Sequence, residues 1–469
     1  MGRTLFAKIW DQHRIMDLGD GTELVLIDRI LLHERTGGVA LQSLEVAGRR
    51  VNDPSQVFAT MDHVVDTRPG RTDATLMPTG SAFIAATRRA ARAAGIRLFD
   101  LEDPGQGIVH VISPEQAIML PGLTLVCPDS HTCSQGALGG LAWGIGSTEA
   151  EHALATSSLR VRKPATMRIT VSGRLPEGST AKDLALHVLA RIGAAGAGGA
   201  VIEYAGEAVR ALDVEARLTL CNMATEAGAF SALIAPDDTV FAYLAGRAFA
   251  PKGELWAAAV RAWRSLASDP DARFDTELSF DAAEVAPMVS WGTSPQHSVP
   301  LGHEVPSLAQ APHDTADSHR RALDYMGLHG GAALEGLPID AAFIGSCTNS
   351  RLSDLRRAAA ILAGRHVAAG VRAICVPGSS RVKAEAEAEG IDRVFIAAGF
   401  EWRESGCSMC FFAGGESFAA GQRVISSTNR NFESRQGAGV RTHLASPETV
   451  AASAILGRIA APRRLAPPP

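Results

Sequence analysis

No basic or acidic run interrupts the even charge spread of this 469-residue chain, whose formal charge is -5. Without a basic patch, nucleic-acid binding is disfavoured and a small-molecule role is expected. No apolar run reaches the roughly 18 residues of a membrane helix. The N-terminal MGRTLFAKIWDQH lacks the long apolar stretch of a secretion signal. Phe6 stands where a myristoylation motif needs Ser or Thr. A cytoplasmic, non-membrane protein is the expectation. Seven cysteines are too few for a disulfide scaffold in a chain of this length. The glycine-rich GAAGAGGAVIEYAG lacks the closing Gly-Lys-Ser/Thr of a phosphate loop, so it reads as a tight helix-to-strand turn.

What is present is length enough for two or three domains and an apolar fraction of 46 %, which allows a large core. Apolar runs alternate with helical patterns, which predicts an α/β fold. The first domain is expected over 1–165. IVHVI (108–112) and LTLVC (123–127) read as strands, and TLMPTGSAFIAATRRAARAAGI as a helix after a loop. A second α/β domain is expected over 166–280, with STAKDLALHVLARIG as a helix capped by Ser179 or Thr180. A third covers 281–460, opening with a long Pro/His/Ser/Gly-rich connection to about residue 335. Within it VRAICVPGS and RVFIAAGF read as strands. The tail 461–469, APRRLAPPP, is expected to be disordered.

Three cysteines occupy polar, turn-rich settings. Cys347, in FIGSCTNSR, follows an apolar strand and precedes a helix expected to begin near Asn349–Ser350. Such a junction exposes backbone N–H groups and favours a thiolate. Cys407 and Cys410, in GCSMC, follow FIAAGF. The ends of neighbouring strands can bring three sulfurs together. A lone Cys-x-x-Cys fits a redox pair, half a zinc site or cluster ligands equally. No nearby Cys or His completes a zinc set. A cluster on three thiolates would leave one iron open to act as a Lewis acid. Cys127, Cys221 and Cys375 read as plain buried residues; Cys133, among polar neighbours, is less easily dismissed.

Further stretches carry paired polar groups. Arg430 and Arg435 in NRNFESR could face one pocket. Asp62 and His63, His110, and Asp129, Ser130 and His131 are each expected beyond a strand's carboxyl end, where α/β sites form. Asn222 and Glu226, four apart, would share one face of a helix.

Taken together, FATMDH, QGIVHV, PDSHT, WGIGSTEAEH, LCNMATEAGA, FIGSCTNSR, GCSMC and STNRNFESRQGAG make the chain resemble the aconitase family. Within it, the likeness is to large subunits of two-component isopropylmalate dehydratases, over all but the tail. The resemblance implies an aconitase-like three-domain iron–sulfur fold without the swivelling fourth domain. It implies one 4Fe–4S cluster with an open iron, held by Cys347, Cys407 and Cys410. It implies dehydration and rehydration of a small hydroxy-diacid, 2-isopropylmalate to 3-isopropylmalate. Asp62, His63, His110, Asp129, His131 and Glu226 would handle protons. His33, Ser130, Asn222, Asn429, Arg430 and Arg435 would contact substrate. The missing domain, with its serine base, would arrive on a small partner subunit.

The chain departs from the family pattern at Pro128, Cys133, Gln135, Phe411 (opening FFAGGESF) and Ser434. These departures leave open a hydratase acting on citraconate, methylmalate, dimethylmaleate or maleate. Of a different class would be an iron-dependent RNA-binding regulator, which the absent basic patch disfavours.

Overall fold

The computed structural model describes residues 2–310, 315–411 and 414–465. Two compact units contain them. The first comprises Met1–Val64, Thr79–Arg174 and Ala195–Ala282, the second Val65–Pro78, Leu175–Ala194 and Ala283–Pro469.

In the first unit, five short apolar strands form a parallel sheet: β1 (Arg29–His33), β2 (Val57–Thr60), β3 (Arg97–Phe99), β4 (Thr124–Cys127) and β5 (Leu141–Gly144). All residues of β2 and β4 are buried, as expected for strands covered on both faces. The spatial order is β3-β2-β1-β4-β5. The same unit holds a second parallel sheet, ordered Ser231–Ile234, Val201–Ala205, Thr166–Ser172 and Thr276–Asp281. Arg14–Gly19, Thr22–Leu26 and Ser158–Arg162 make a small antiparallel sheet.

The second unit repeats the five-stranded design with β6 (Ala341–Ile344), β7 (Arg372–Cys375), β8 (Phe400–Trp402), β9 (Arg423–Ser426) and β10 (Arg441–Leu444). They are all parallel, in the order β8-β7-β6-β9-β10. In both sheets the chain winds outward from its first strand, then returns to lay its fourth on the other side. The loops leaving these two neighbours diverge, which opens a crevice at their carboxyl ends.

Several expected elements take a different form. IVHVI is not a strand: the helix Val109–Gln116 starts within it, and the Asp62 carboxylate accepts its first N–H, that of Val109, at 2.8 Å. Almost every residue of this helix is buried, so no amphipathic period marked it. Most of RVFIAAGF lies in the helix Ile391–Ala398, which buries Ile391, Phe395 and Ala398 at helical spacing. The strand begins only after Gly399, whose φ of 99° ends the helix. The helix after Cys347 begins at Leu352. The connection over 281–335 is built up. It pairs Met288–Ser290 antiparallel with Ser298–Pro300 and carries the helix Ala316–Met326. Of the expected disordered tail, Pro462–Arg464 forms a short turn and Arg464 pairs with Glu335 at 2.7 Å. Residues 466–469 lie outside the described residues.

Other expectations hold. The helix Ala181–Ile192 is capped by Thr180, whose side chain accepts from the Asp183 N–H while Asp183 bonds back. Such reciprocal capping satisfies two otherwise orphaned donors. The glycine-rich turn leads into the strand Val201–Ala205.

One core side chain ties the fold to the cysteines. Met409, between Cys407 and Cys410, is wholly buried in a cluster with Phe343, Ile374, Val376 and Val424. Met409→Ala should therefore destabilise the chain by about 2–5 kcal/mol. Denaturant unfolding of purified protein measures this, and a loss near zero would show that the turn is held by other contacts.

Candidate active site

In the first unit, the residues following β1, β2 and β4 converge. His33 ends β1, and its ring stacks on His63 with centroids 4.0 Å apart. His63 Nδ1 lies 2.6 Å from Asp62 Oδ1, and its Nε2 lies 3.5 Å from Asp129 Oδ2. His110 and His131 each present Nδ1 to Asp129 Oδ1 at 3.6 Å. His131 Nε2 meets Glu226 Oε1 at 2.9 Å. Four histidines thus surround Asp62 and Asp129, and one of them reaches on to Glu226. Gly144 makes room for this loop: a Cβ there would stand 2.6 Å from the Asp129 carbonyl oxygen.

Glu34 had no place in the reading of the sequence. It is wholly buried, and its carboxylate accepts the N–H groups of Asp62 at 3.0 Å, His63 at 2.7 Å and Val64. It therefore fixes the backbone that carries Asp62 and His63. The only available signal was its place beside His33 at the end of an apolar run. His33, Glu34, Asp62 and His63 each offer an atom within 4.8 Å of the others, a set that could hold a metal ion. Their hydrogen bonds to backbone and to one another already occupy much of that donor capacity.

Burial and charge separate the protonation states. Burial takes His33 down to about 4, the charge of His63 adding to it. Burial likewise lowers His110 to about 4, although Asp129 pulls the other way. Burial pushes Glu34 up to about 7, with the charge of Asp62 adding. Burial also pushes Asp62 upward, but the charge and hydrogen bond of His63 outweigh it and leave Asp62 below its ordinary value. For Asp129, burial is overcome by hydrogen bonds from His131 and His63, which hold it well below the usual range.

Other members of the set take varied positions. Asn222 ends the helix Val214–Asn222, and Glu226 lies in the following 3-10 turn, so the two do not share an α-helical face. Asn222 is wholly buried and donates to the Ser134 hydroxyl at 3.2 Å. Ser130 is exposed, 3.5 Å from His131 Nδ1. Pro128 accepts from His33 Nε2 at 3.2 Å through its carbonyl. Gln135 donates to the His110 carbonyl at 3.2 Å.

The second unit holds the other group. Cys347 follows β6, and Cys407 and Cys410 follow β8; all three are buried. Ser346 and Ser408 occupy left-handed backbone, at φ of 84° and 46°, beside Cys347 and Cys407. Such strain in non-glycine residues gathers at functional turns. The Ser346 hydroxyl lies 3.2 Å from Cys410 Sγ and 4.0 Å from Cys347 Sγ. Asn429 Nδ2 donates to Cys347 Sγ at 3.4 Å, while its Oδ1 is 3.9 Å from Cys410 Sγ. Arg435 Nη2 points to Cys410 Sγ at 3.7 Å. The wholly buried Lys182 steadies this loop by donating to the Ser427 carbonyl at 2.9 Å and to that of Thr428. Arg430 is half-buried in the same loop. Cys347 and Cys410, with hydroxyl, amide and guanidinium groups beside their sulfurs, and the buried Cys407 three residues before Cys410 form a set suited to holding a metal centre.

The remaining cysteines differ. Burial pushes the thiols of Cys127, Cys221 and Cys375 well above their ordinary value. Cys133 is buried and donates to the Cys221 carbonyl at 3.2 Å. Ser434, where the family pattern has Gly, adopts φ of 64°. Its N–H donates to the Tyr325 hydroxyl at 2.7 Å, and its own hydroxyl accepts from Gly439 at 3.2 Å. These bonds offset the strain.

Two outcomes follow. His33 and His110 should stay neutral from pH 8 down to pH 5 and titrate near pH 4, read from their ring proton shifts by NMR. The unfolded chain takes up these protons near pH 6.5, so the pair should lower stability as pH falls from about 6.5 to about 4. Titration of both rings above pH 6 would contradict the burial argument. Separately, Glu34→Gln should cost about 1–3 kcal/mol, because an amide nitrogen would face a backbone N–H that now has an acceptor. Thermal unfolding of the two proteins tests it, and equal stability would mean that the three N–H groups find other partners.

The family model for the aconitase family (aconitate hydratase) matches residues 7–457. The 3-isopropylmalate dehydratase large subunit 1 of Bradyrhizobium diazoefficiens is 53% identical over 464 residues, which cover 98% of this chain and 96% of that protein. The crystal structure of Thermococcus kodakaraensis aconitase X (holo-form) has a TM-score of 0.50 at 13% identity, over 92% of this chain and 90% of that one. The last likeness is one of fold. With its α/β sheets and its His, Asp, Cys and Arg motifs, this chain belongs to the aconitase family.

Proposed function

We propose that this chain is the cluster-bearing large subunit of a two-component hydro-lyase. It interconverts 2-isopropylmalate and 3-isopropylmalate by dehydration and rehydration, a step of leucine biosynthesis. The observation that carries this reading is the trio of buried cysteines beyond β6 and β8, two of which, Cys347 and Cys410, are met by Ser346, Asn429 and Arg435, in a chain of this family. That donor set fits a 4Fe–4S cluster with three thiolate ligands and one open iron. When bound, such a cluster supplies a Lewis acid for a substrate oxygen.

The chain's own residues do the rest. Asn429 donates to the Cys347 sulfur and Arg435 to that of Cys410, contacts that suit sulfur ligands of a metal centre. Arg430 and Arg435 bind substrate carboxylates, as planar forks suit. Asp62 holds the His63 imidazole by Nδ1, and Nε2, which faces Asp129 at 3.5 Å, carries a proton toward a departing hydroxyl. Asp129, kept ionised, orients His110 and His131, and His131 links to Glu226 for the departing water. His33, Ser130 and Asn222 complete the polar contacts. The architecture in this reading is three domains, with boundaries near residues 165 and 280. A small swivelling-domain subunit supplies the base that removes the carbon-bound proton. Among the described residues no helix is long and apolar enough to cross a membrane. The reading places the enzyme in the cytoplasm.

Co-expression with a small subunit and anaerobic assay should give turnover of 2-isopropylmalate, together with about four irons and four sulfides per chain. The same assay with citraconate, dimethylmaleate and maleate decides the substrate. Preference for one of these would keep the chemistry and replace the substrate. Bound zinc without sulfide would overturn the reading. Arg430→Lys and Arg435→Lys should each weaken diacid turnover by roughly 2–5 kcal/mol in kcat/KM. Unchanged kinetics in both would remove them from the site.

A further inference from the structure

Arg435 is a buried cation with an unusual set of neighbours. Its residue is only 9% exposed, yet among the described residues no carboxylate pairs with it. Its Nε, shielded from solvent, has no hydrogen-bond partner. Two aromatic rings stand against it instead. The guanidinium carbon lies 4.7 Å from the ring centroid of Phe411 and 5.1 Å from that of Phe432. Nη2 points to Cys410 Sγ at 3.7 Å.

A guanidinium without a carboxylate partner would ordinarily stay hydrated or swing toward the nearest carboxylate. An aromatic face attracts the cation through its quadrupole while offering no acceptor that competes for its N–H groups. Phe411 immediately follows the ligand-like Cys410, so the turn that places the cysteine also places the ring. Phe432 lies three residues before Arg435 in the same loop and is 44% exposed.

We infer that Phe411 and Phe432 are positioning residues: they hold the Arg435 guanidinium in a fixed orientation, with Nε–H kept open for an incoming carboxylate. This rests on the functional reading above for the identity of the ligand, a small diacid, but not for the clamp itself. An arginine held in place before binding loses less rotamer freedom when the carboxylate arrives. The same rings present apolar surface beside the charge, which excludes water from the ion pair.

The clamp is tested first on the full-length chain by phenylglyoxal labelling, with Arg435 modification followed by peptide mass spectrometry. Phe411→Leu keeps apolar volume but removes the aromatic face, and should speed labelling of Arg435 about threefold to tenfold. Phe411→Tyr keeps the face and should leave the rate within twofold. In the active holoenzyme, Phe411→Leu should raise KM for the diacid about threefold to tenfold with kcat within twofold. Phe411→Tyr should restore KM. Unchanged Arg435 labelling in both Phe411→Leu and Phe432→Leu would overturn the clamp, as would equal KM in Phe411→Leu and the parent. Faster labelling in a protein that turns over no diacid would support the clamp and overturn the functional reading instead.

Discussion

The reversal of strand order in a parallel sheet governs where chemistry can occur in this chain. A parallel strand ends with its carbonyl edge toward one side of the sheet, and its crossover helix must return on one face or the other. Where two neighbouring strands send their crossovers opposite ways, the loops part and leave a crevice. Both five-stranded sheets have this arrangement, between β1 and β4 and between β6 and β9. His33 and Asp129 leave one such pair, and Cys347 and Asn429 the other. The fold thereby presents polar side chains on rigid apolar strands without burying loose loops among them.

Holding those side chains requires supports of very different kinds. In the first unit the support is a carboxylate, Glu34, that takes three consecutive backbone N–H groups. It makes the Asp62–His63 turn rigid in a place where water could not satisfy it. In the second unit the support is apolar. Met409 reaches into the core between two cysteines, so their turn cannot shift without opening a cavity. Lys182 adds a buried charge that holds two carbonyls of the loop before Asn429.

Electrostatics then assign different tasks to like groups. His33 and His110 are buried and kept neutral, while His63 lies between two carboxylates. Glu34 is driven toward the neutral form and Asp62 and Asp129 toward the charged one. Separated protonation states among neighbouring groups are what acid–base chemistry near neutral pH needs. Arg435 shows the same economy for a cation, steadied by aromatic faces where a carboxylate would have neutralised it.

By itself the sequence determined the α/β class, the strands at LTLVC, before Cys347 and at VRAIC, and the grouping of polar residues near strand ends. These follow from local patterns: apolar runs of strand length, punctuation by glycine and proline, and short polar motifs after them. The cap at Thr180 was legible for the same reason. Only the tertiary structure decided that IVHVI starts a helix, because its first N–H meets Asp62, far away in sequence. Only it revealed Glu34, whose partners are backbone groups without a sequence signature. The rings beside Arg435 were likewise hidden, since a contact between residues 411 and 435 depends on how two loops fold together. Local propensity acts through neighbours in the chain, whereas burial and long-range hydrogen bonds act through neighbours in space, and these set both the protonation states and the orientation of the reacting groups.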